Sequence, residues 1–193
     1  ATDGSKKHIY HEEYKTWLDW INGMLFTDKG LYMARSFETG WQQIYFLSYD
    51  GQLRRLTDGP NWRISLLRAD ARKGDVYFTA CRDASVRECL YKVNAKGQIT
   101  ALTDTSMNVS GVSFSPDGKY FAAALSNFTT PTQICVCRSS DGNGQVVADK
   151  KGPDYDASKY ALPQLIYITV DNGLKLPAYI VYPKNFDPSR KYP

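Results

Sequence analysis

Three stretches decide how this chain folds: Thr27-Asp28-Lys29-Gly30, Ala71-Arg72-Lys73-Gly74 and Ser115-Pro116-Asp117-Gly118. Their glycines stand 44 residues apart, and each is followed at once by a strand-like run. The runs are Leu31-Tyr32-Met33-Ala34-Arg35, Asp75-Val76-Tyr77-Phe78-Thr79-Ala80 and Lys119-Tyr120-Phe121-Ala122-Ala123-Ala124-Leu125. A glycine between two apolar runs is a hairpin signal, because it accepts the positive φ that a tight turn asks for. The phase holds downstream. Ile44 to Leu47, Leu90 to Val93 and Ile134 to Cys137 sit at matching third-strand positions, and each leads into a polar turn at Gly51, Gly97 or Gly142. A fourth run closes each unit with Leu56-Thr57-Asp58, Leu102-Thr103-Asp104 or Val147-Ala148-Asp149. Trp62 to Leu67 and Val109 to Phe114 then read as the innermost strand of the next unit.

Four short antiparallel strands per ~40–45 residues is the pattern of a propeller blade. A blade is packed on both faces, so its strands can be apolar at successive positions, as Val76-Tyr77-Phe78 is; a one-faced sheet alternates more strictly. A β-sandwich has no reason to keep a constant step. The fold class expected is all-β: a partial β-propeller of about three four-stranded antiparallel blades, then a β-hairpin that begins an α/β-hydrolase domain. Three blades fall short of the ~4–8 in a closed ring, so the expectation is of a piece of a longer polypeptide. Residues 1–20 are assigned to the end of a preceding blade and a crossover, with Lys7 to His11 as its last strand. A short helix with Tyr10, Tyr14, Trp17, Leu18 and Ile21 on one face is the competing reading. Residues 21–151 are assigned to the blades and 152–164 to a polar linker. Residues 165–193 form the truncated first hairpin, with its turn at Asp171-Asn172-Gly173 and Pro177 marking an edge or strand start.

Composition narrows the function classes. The 193 residues are 42% hydrophobic and 23% charged, as in ordinary globular chains, and the 14 tyrosines and 4 tryptophans favour strands. The net charge of +4 is spread thinly, with no basic run longer than two residues. Nucleic-acid binding needs a concentrated basic face and is not expected. No apolar run approaches the ~18 residues of a membrane-spanning helix.

The segment Ile166 to Pro193, above all Asn185-Phe186-Asp187-Pro188-Ser189-Arg190-Lys191-Tyr192-Pro193, resembles the entry to the catalytic domain of the prolyl oligopeptidase family. Phe37-Glu38-Thr39-Gly40-Trp41-Gln42-Gln43-Ile44-Tyr45-Phe46, with Leu56 to Gly59 and Trp62, is similar to blade sequences of its dipeptidyl peptidase IV branch. The resemblance implies an eight-bladed propeller capping an α/β-hydrolase with a Ser-Asp-His triad. It implies a parent that removes Xaa-Pro or Xaa-Ala dipeptides from peptide N-termini, with the propeller gating access. It further implies peptide substrates, an extracytoplasmic parent and no cofactor, and it leaves a homodimer open.

The chain holds no Gly-x-Ser-x-Gly elbow, and its two histidines, His8 and His11, precede any place for one. No catalytic residue and no metal ligand are assigned within it; it is expected to be inactive alone, and its substrate-binding residues are left unassigned. His8 and His11 read as solvated polar residues. Glu12-Glu13 invites comparison with the glutamates that hold a substrate amine in this branch, but those belong to an earlier propeller segment. Trp17 to Asn22 aligns loosely with a family region near the substrate pocket. Asp104, Asp117 and Asp149 read as turn residues bonding to backbone N–H groups, and Asn108-Val109-Ser110 and Asn127-Phe128-Thr129 match the glycosylation pattern. Cys81, Cys89, Cys135 and Cys137 lack zinc spacing; a Cys81–Cys89 disulfide and plain buried thiols both stay open. The alternative function is a non-enzymatic propeller that binds peptides or proteins. Uncovered strand edges and blade faces make self-association the expected behaviour of the isolated chain.

Overall fold

The computed structural model describes residues 3–21 and 23–192; Ala1, Thr2, Asn22 and Pro193 lie outside the described residues, so the readings that reach Asn22 and Pro193 stop one residue short. Three antiparallel sheets follow one another, each a simple meander in chain order. The first blade is β1 (Leu25–Phe26), β2 (Gly30–Arg35), β3 (Gln43–Ser48) and β4 (Leu53–Arg55). The second is β5 (Ile64–Asp70), β6 (Asp75–Ala80), β7 (Cys89–Val93) and β8 (Ile99–Ala101). The third is β9 (Asn108–Phe114), β10 (Tyr120–Ser126), β11 (Gln133–Arg138) and β12 (Gly144–Asp149). A 3-10 turn at Ala157–Lys159 precedes the separate hairpin of β13 (Gln164–Thr169) and β14 (Lys175–Ile180). The chain is a run of three propeller-type blades, as the glycine spacing implies.

The core lies between blades rather than within one sheet. Cys89, Tyr91 and Val93 point from β7 toward the first blade and join Ile44, Leu56, Val76 and Phe78. Leu90 points the other way and meets Tyr77, Leu102, Phe121, Cys135 and Cys137. Burial on both faces is why the middle blade reads as apolar at successive positions. The inner pairs of the second and third blades each carry a register shift, at Leu66/Arg68 and at Ala122/Ala124, which bends and further twists the strand.

One joint recurs between blades. The turn glycine of β7–β8, Gly97, takes φ 82, and a Cβ there would stand 2.9 Å from the Leu56 carbonyl oxygen of the preceding blade. At β11–β12, Gly142 takes φ 77 and presses its α-carbon face on the Leu102 carbonyl, closer than any side chain allows. At β3–β4, Gly51 faces the carbonyl of Ile9 with more room, 3.5 Å. Ile9 therefore stands to the first blade as Leu56 and Leu102 stand to the second and third. Ile9, Tyr10, Ile21 and Phe37 pack against Leu31, Met33, Tyr45 and Leu47, on the face of the first blade opposite the second. The segment before β1 has neither helical nor strand pairing along the described residues, so Lys7 to His11 is no paired strand here and the helix reading fails too: Tyr14, Trp17 and Trp20 face solvent and offer a helix no surface to bury.

Gly30 departs from the simple turn reading. Gly74 and Gly118 take φ 72 and 71 as left-handed turn residues, whereas Gly30 opens β2 in extended backbone at φ 158. Its lack of a side chain serves contact with the backbone of Leu47 and Ser48 on β3. The Leu-Thr-Asp endings also have a cause. Leu56 and Leu102 fill the space between blades, while Thr57 and Thr103 Oγ1 accept the backbone N–H of Ile44 and Leu90 at 2.8 and 3.1 Å.

Candidate functional site

In a four-stranded meander, successive connections alternate between the two ends of the sheet. The β1–β2 and β3–β4 turns of every blade make one rim; the β2–β3 loops and the crossovers between blades make the other. The segment before β1 starts at the turn rim, where Ile9 faces Gly51, and reaches the crossover rim by Glu12 to Asp19: Arg35, the last residue of β2, bonds both Glu12 and the Asp19 carbonyl.

That contact is the most organised polar feature of the rim. Arg35 Nε and Nη2 donate to the two Glu12 carboxylate oxygens at 2.6 and 2.7 Å, a planar bidentate pair. Arg35 Nη1 donates to the Asp19 carbonyl at 2.9 Å, and the Tyr10 hydroxyl donates to Glu12 Oε2 at 2.6 Å. The pair is nearly dry, with side chains 5% and 11% exposed. Burial alone would raise the Glu12 carboxyl, but hydrogen bonds from Arg35 and Tyr10 and the Arg35 charge outweigh it and hold it below its usual range. Burial, aided by the Glu12 bond, raises the Tyr10 hydroxyl well above its ordinary value. Between the two anchored arms the chain runs out into solvent, where Trp17 is 75% exposed, and Trp20, the residue after Asp19, is 89% exposed. A cleft of about 400 Å³ lies beneath, lined by Tyr10, Glu12, Leu18, Asp19, Trp20 and Arg35.

A second network ties the first crossover. The fully buried Gln43 Oε1 accepts from Thr57 Oγ1 at 2.8 Å and Asn61 Nδ2 at 2.9 Å, and its Nε2 donates to the Gly59 carbonyl at 2.8 Å. Arg82 extends it, donating to the Asp58 carbonyl and Asn61 Oδ1 at 2.6 and 2.9 Å. The ring of Trp62 meets Trp41 edge-on, centroids 4.7 Å apart, above this network. Further along the rim, Phe128 in the β10–β11 loop packs edge-on against Tyr179 of β14, centroids 4.6 Å apart. The hairpin thus docks on the same rim as the aromatic loop, beside a cavity of about 350 Å³ whose lining includes Arg87, Asn108, Asn127, Phe128 and Tyr179.

The sequence candidates separate cleanly. Glu12 is consumed by Arg35 and Tyr10 and has no oxygen free for a substrate amine, while Glu13 is exposed and sits 2.9 Å from His11 Nε2. His8 and His11 are exposed, and among the described residues no three His, Cys, Asp or Glu side chains converge as a metal site would. Asp104, Asp117 and Asp149 accept backbone N–H groups two residues on; these bonds, and for Asp117 first of all the bond from the Ser115 hydroxyl, depress their carboxyls. Asn108 and Asn127 spend their side chains on Glu88 N–H and on a local turn to Thr129 and Thr130. The four cysteines are free and buried. Burial raises the Cys81 and Cys89 thiols and, helped by Cys135, pushes Cys137 up to about 11. Arg35 and Gln43 carried no sequence signal of their own. Each reads as one more polar residue at a strand end, and the partners described above lie 14 to 23 residues away.

Four-stranded antiparallel blades packed face to face in chain order define a propeller segment. Residues 1–132 match the family described as the dipeptidyl peptidase IV (DPP IV) N-terminal region, and the chain belongs to that family, within the prolyl oligopeptidase group. It is 30% identical over 156 residues to a probable dipeptidyl-aminopeptidase B of Sclerotinia sclerotiorum, covering 77% of this chain and 17% of the relative. Against dipeptidyl peptidase 4 of Trichophyton rubrum it is 25% identical over 187 residues, 92% of this chain and 24% of the relative. The crystal structure of Porphyromonas gingivalis dipeptidyl peptidase 4 superposes with a TM-score of 0.76 at 28% identity, covering 90% of this chain and 25% of that one. The chain thus spans about a fifth of the curated relatives it matches, 17% and 19% in two of them.

Proposed function

We propose that this chain is the non-catalytic propeller portion of a serine exopeptidase that releases Xaa-Pro or Xaa-Ala dipeptides, with its crossover rim turned toward the catalytic body. The observation that carries this reading is the shared rim. The hairpin that resembles the start of the catalytic domain seats Tyr179 on Phe128, and the exposed Trp17 and Trp20 leave the blades at the same end. A peptide entering between propeller and hydrolase passes that rim, where flat aromatic side chains give contact area at low entropic cost. The triad itself lies outside this chain.

The test is hydrolysis of Xaa-Pro and Xaa-Ala chromogenic amides by the full polypeptide and by this chain alone. Turnover by the first, blocked by a serine-directed phosphonate, with none by the second is the expected result. A full polypeptide that binds peptides saturably but never cleaves them favours a peptide-binding propeller instead. An extracytoplasmic, homodimeric parent belongs to the same proposal; protease accessibility on intact cells and light scattering of the full polypeptide test those two parts.

A further inference from the structure

We infer that Arg35 is a positioning residue that sets where Trp17, within the loop between Glu12 and Asp19, and Trp20, bonded directly to its Asp19 end, are presented, by fastening both arms of that loop to the rigid end of β2. The inference rests on the substrate-facing reading of the crossover rim.

Along the outgoing arm Glu12 is gripped by two guanidinium nitrogens, and along the returning arm the Asp19 carbonyl takes the third. One planar cation therefore closes a loop of six intervening residues whose own side chains, from Glu13 to Leu18, are exposed. Without that clamp little else holds the loop: it has no strand or helix hydrogen bonds, and its large aromatics bury little surface. The anchor itself is stiff. Arg35 pairs with Gln43 in the β2–β3 ladder, and Gln43 is locked by Thr57, Asn61 and Gly59. Tyr10 donates to the same carboxylate, so both Glu12 oxygens are held by side chains. A lysine at 35 would supply a point charge for Glu12 but not the planar fork that reaches Asp19 as well.

Two readouts separate the clamp from the functional reading. The first is tryptic nicking after Lys15, an exposed lysine at the middle of the loop, followed in the full polypeptide. Glu12→Gln and Arg35→Met are expected to speed nicking at Lys15 by at least about tenfold, since cleavage tracks local opening, with Arg35→Lys between them and the parent. Unchanged nicking in Glu12→Gln overturns the clamp; this variant keeps the side-chain shape and serves if Arg35→Met does not fold. The second readout is a cycle on peptide KM. Trp17→Ala/Trp20→Ala and Arg35→Met are each expected to raise KM about tenfold with kcat within about twofold, the signature of lost binding. Combined, they should raise it no further than either does alone. If the tryptophan variant leaves KM unchanged, the substrate-facing reading fails while the nicking result still stands for the clamp. If the tryptophan variant raises KM and Glu12→Gln and Arg35→Met do not, the positioning role fails.

Discussion

Replacing Gly142 by alanine tests whether the recurring joint, rather than turn geometry alone, requires glycine. Two terms add at this site. An alanine forced into left-handed backbone costs about 1–2 kcal/mol. The new methyl also runs into the Leu102 carbonyl and the backbone around it, so the two blades must move apart; overpacking of this kind costs roughly 1–3 kcal/mol. Reduced freedom of the unfolded chain returns about 0.4–1 kcal/mol. Gly142→Ala should therefore destabilise by roughly 1–4.5 kcal/mol, by this sum of terms. Gly51→Ala is the internal control. Gly51 also has positive φ, 97, but a methyl there would sit 3.5 Å from the Ile9 carbonyl, an ordinary contact. Only the backbone terms apply, so the cost should stay near 0–1.5 kcal/mol, roughly. For a chain of this size each kcal/mol moves Tm by about 2–4 °C, so the two variants should differ by roughly 2–12 °C. Thermal melts followed by near-ultraviolet circular dichroism, which reads the aromatic packing between blades, give the comparison. Equal shifts for the two variants would refute the joint as the reason for glycine, and so would a larger shift for Gly51→Ala.

Gln43→Leu keeps the bulk but leaves the Thr57 hydroxyl proton without its acceptor and takes from the Asn61 amide its shorter bond, while the Gly59 carbonyl keeps the Asn61 backbone N–H; at about 1–3 kcal/mol for an unsatisfied buried group, a loss of about that size is expected in urea titration. The four cysteines, buried and with Cys81, Cys89 and Cys137 raised by that burial, should ignore a thiol reagent at pH 8 until denaturant is added; rapid native labelling would contradict their packing. The Glu12–Arg35 clamp should weaken in acid. Its carboxyl lies below the ordinary 4.5 when folded, so the unfolded state binds the proton more readily. The contribution is complete above that unfolded value and is lost as pH falls through the lower folded one. Nicking after Lys15 by an acid-tolerant protease engineered for lysine should accelerate only below about pH 4.5, and a loop equally protected at pH 3 would argue against the clamp.

The blades were legible because their signal is periodic and local. A hairpin needs its turn residues within a few positions of the strands they join, so the glycine step shows in the chain before any contact is known. Gly30 marks the limit of that logic: the spacing found it, but β3 approaching from above is what excludes a side chain there. The segment ahead of β1 was ambiguous for a related reason. Tyr10, Tyr14, Trp17, Leu18 and Ile21 fit a helical stripe, yet only Tyr10 and Ile21 meet the first blade's core, and the residues between are held out by a clamp whose cation lies 23 residues beyond Glu12. No window of sequence joins Glu12 to Arg35. Gln43 is hidden likewise, since its partners Thr57, Gly59 and Asn61 come from the next crossover.

The two rims differ in a way that explains this division. On the turn rim every joint repeats the same chemistry. A basic side chain of one blade or segment donates to the turn carbonyl two residues before the next glycine: Lys7 to Tyr49 at 3.4 Å, Arg54 to Ala95 at 3.0 Å and Lys92 to Ser140 at 2.7 Å. Repeated contacts of this kind can only serve what every blade needs, which is attachment to its neighbour. On the crossover rim the bonds to Thr57 and Thr103 repeat where blades close, but the larger features do not. The first blade has an ion pair that carries an aromatic loop, the first crossover a glutamine-centred network, and the third blade a phenylalanine that receives the hairpin. A contact made once cannot be explained by blade assembly, because the other blades assemble without it. The departures from the repeat gather at the end where the hairpin docks, the rim that the proposed function turns toward the catalytic body.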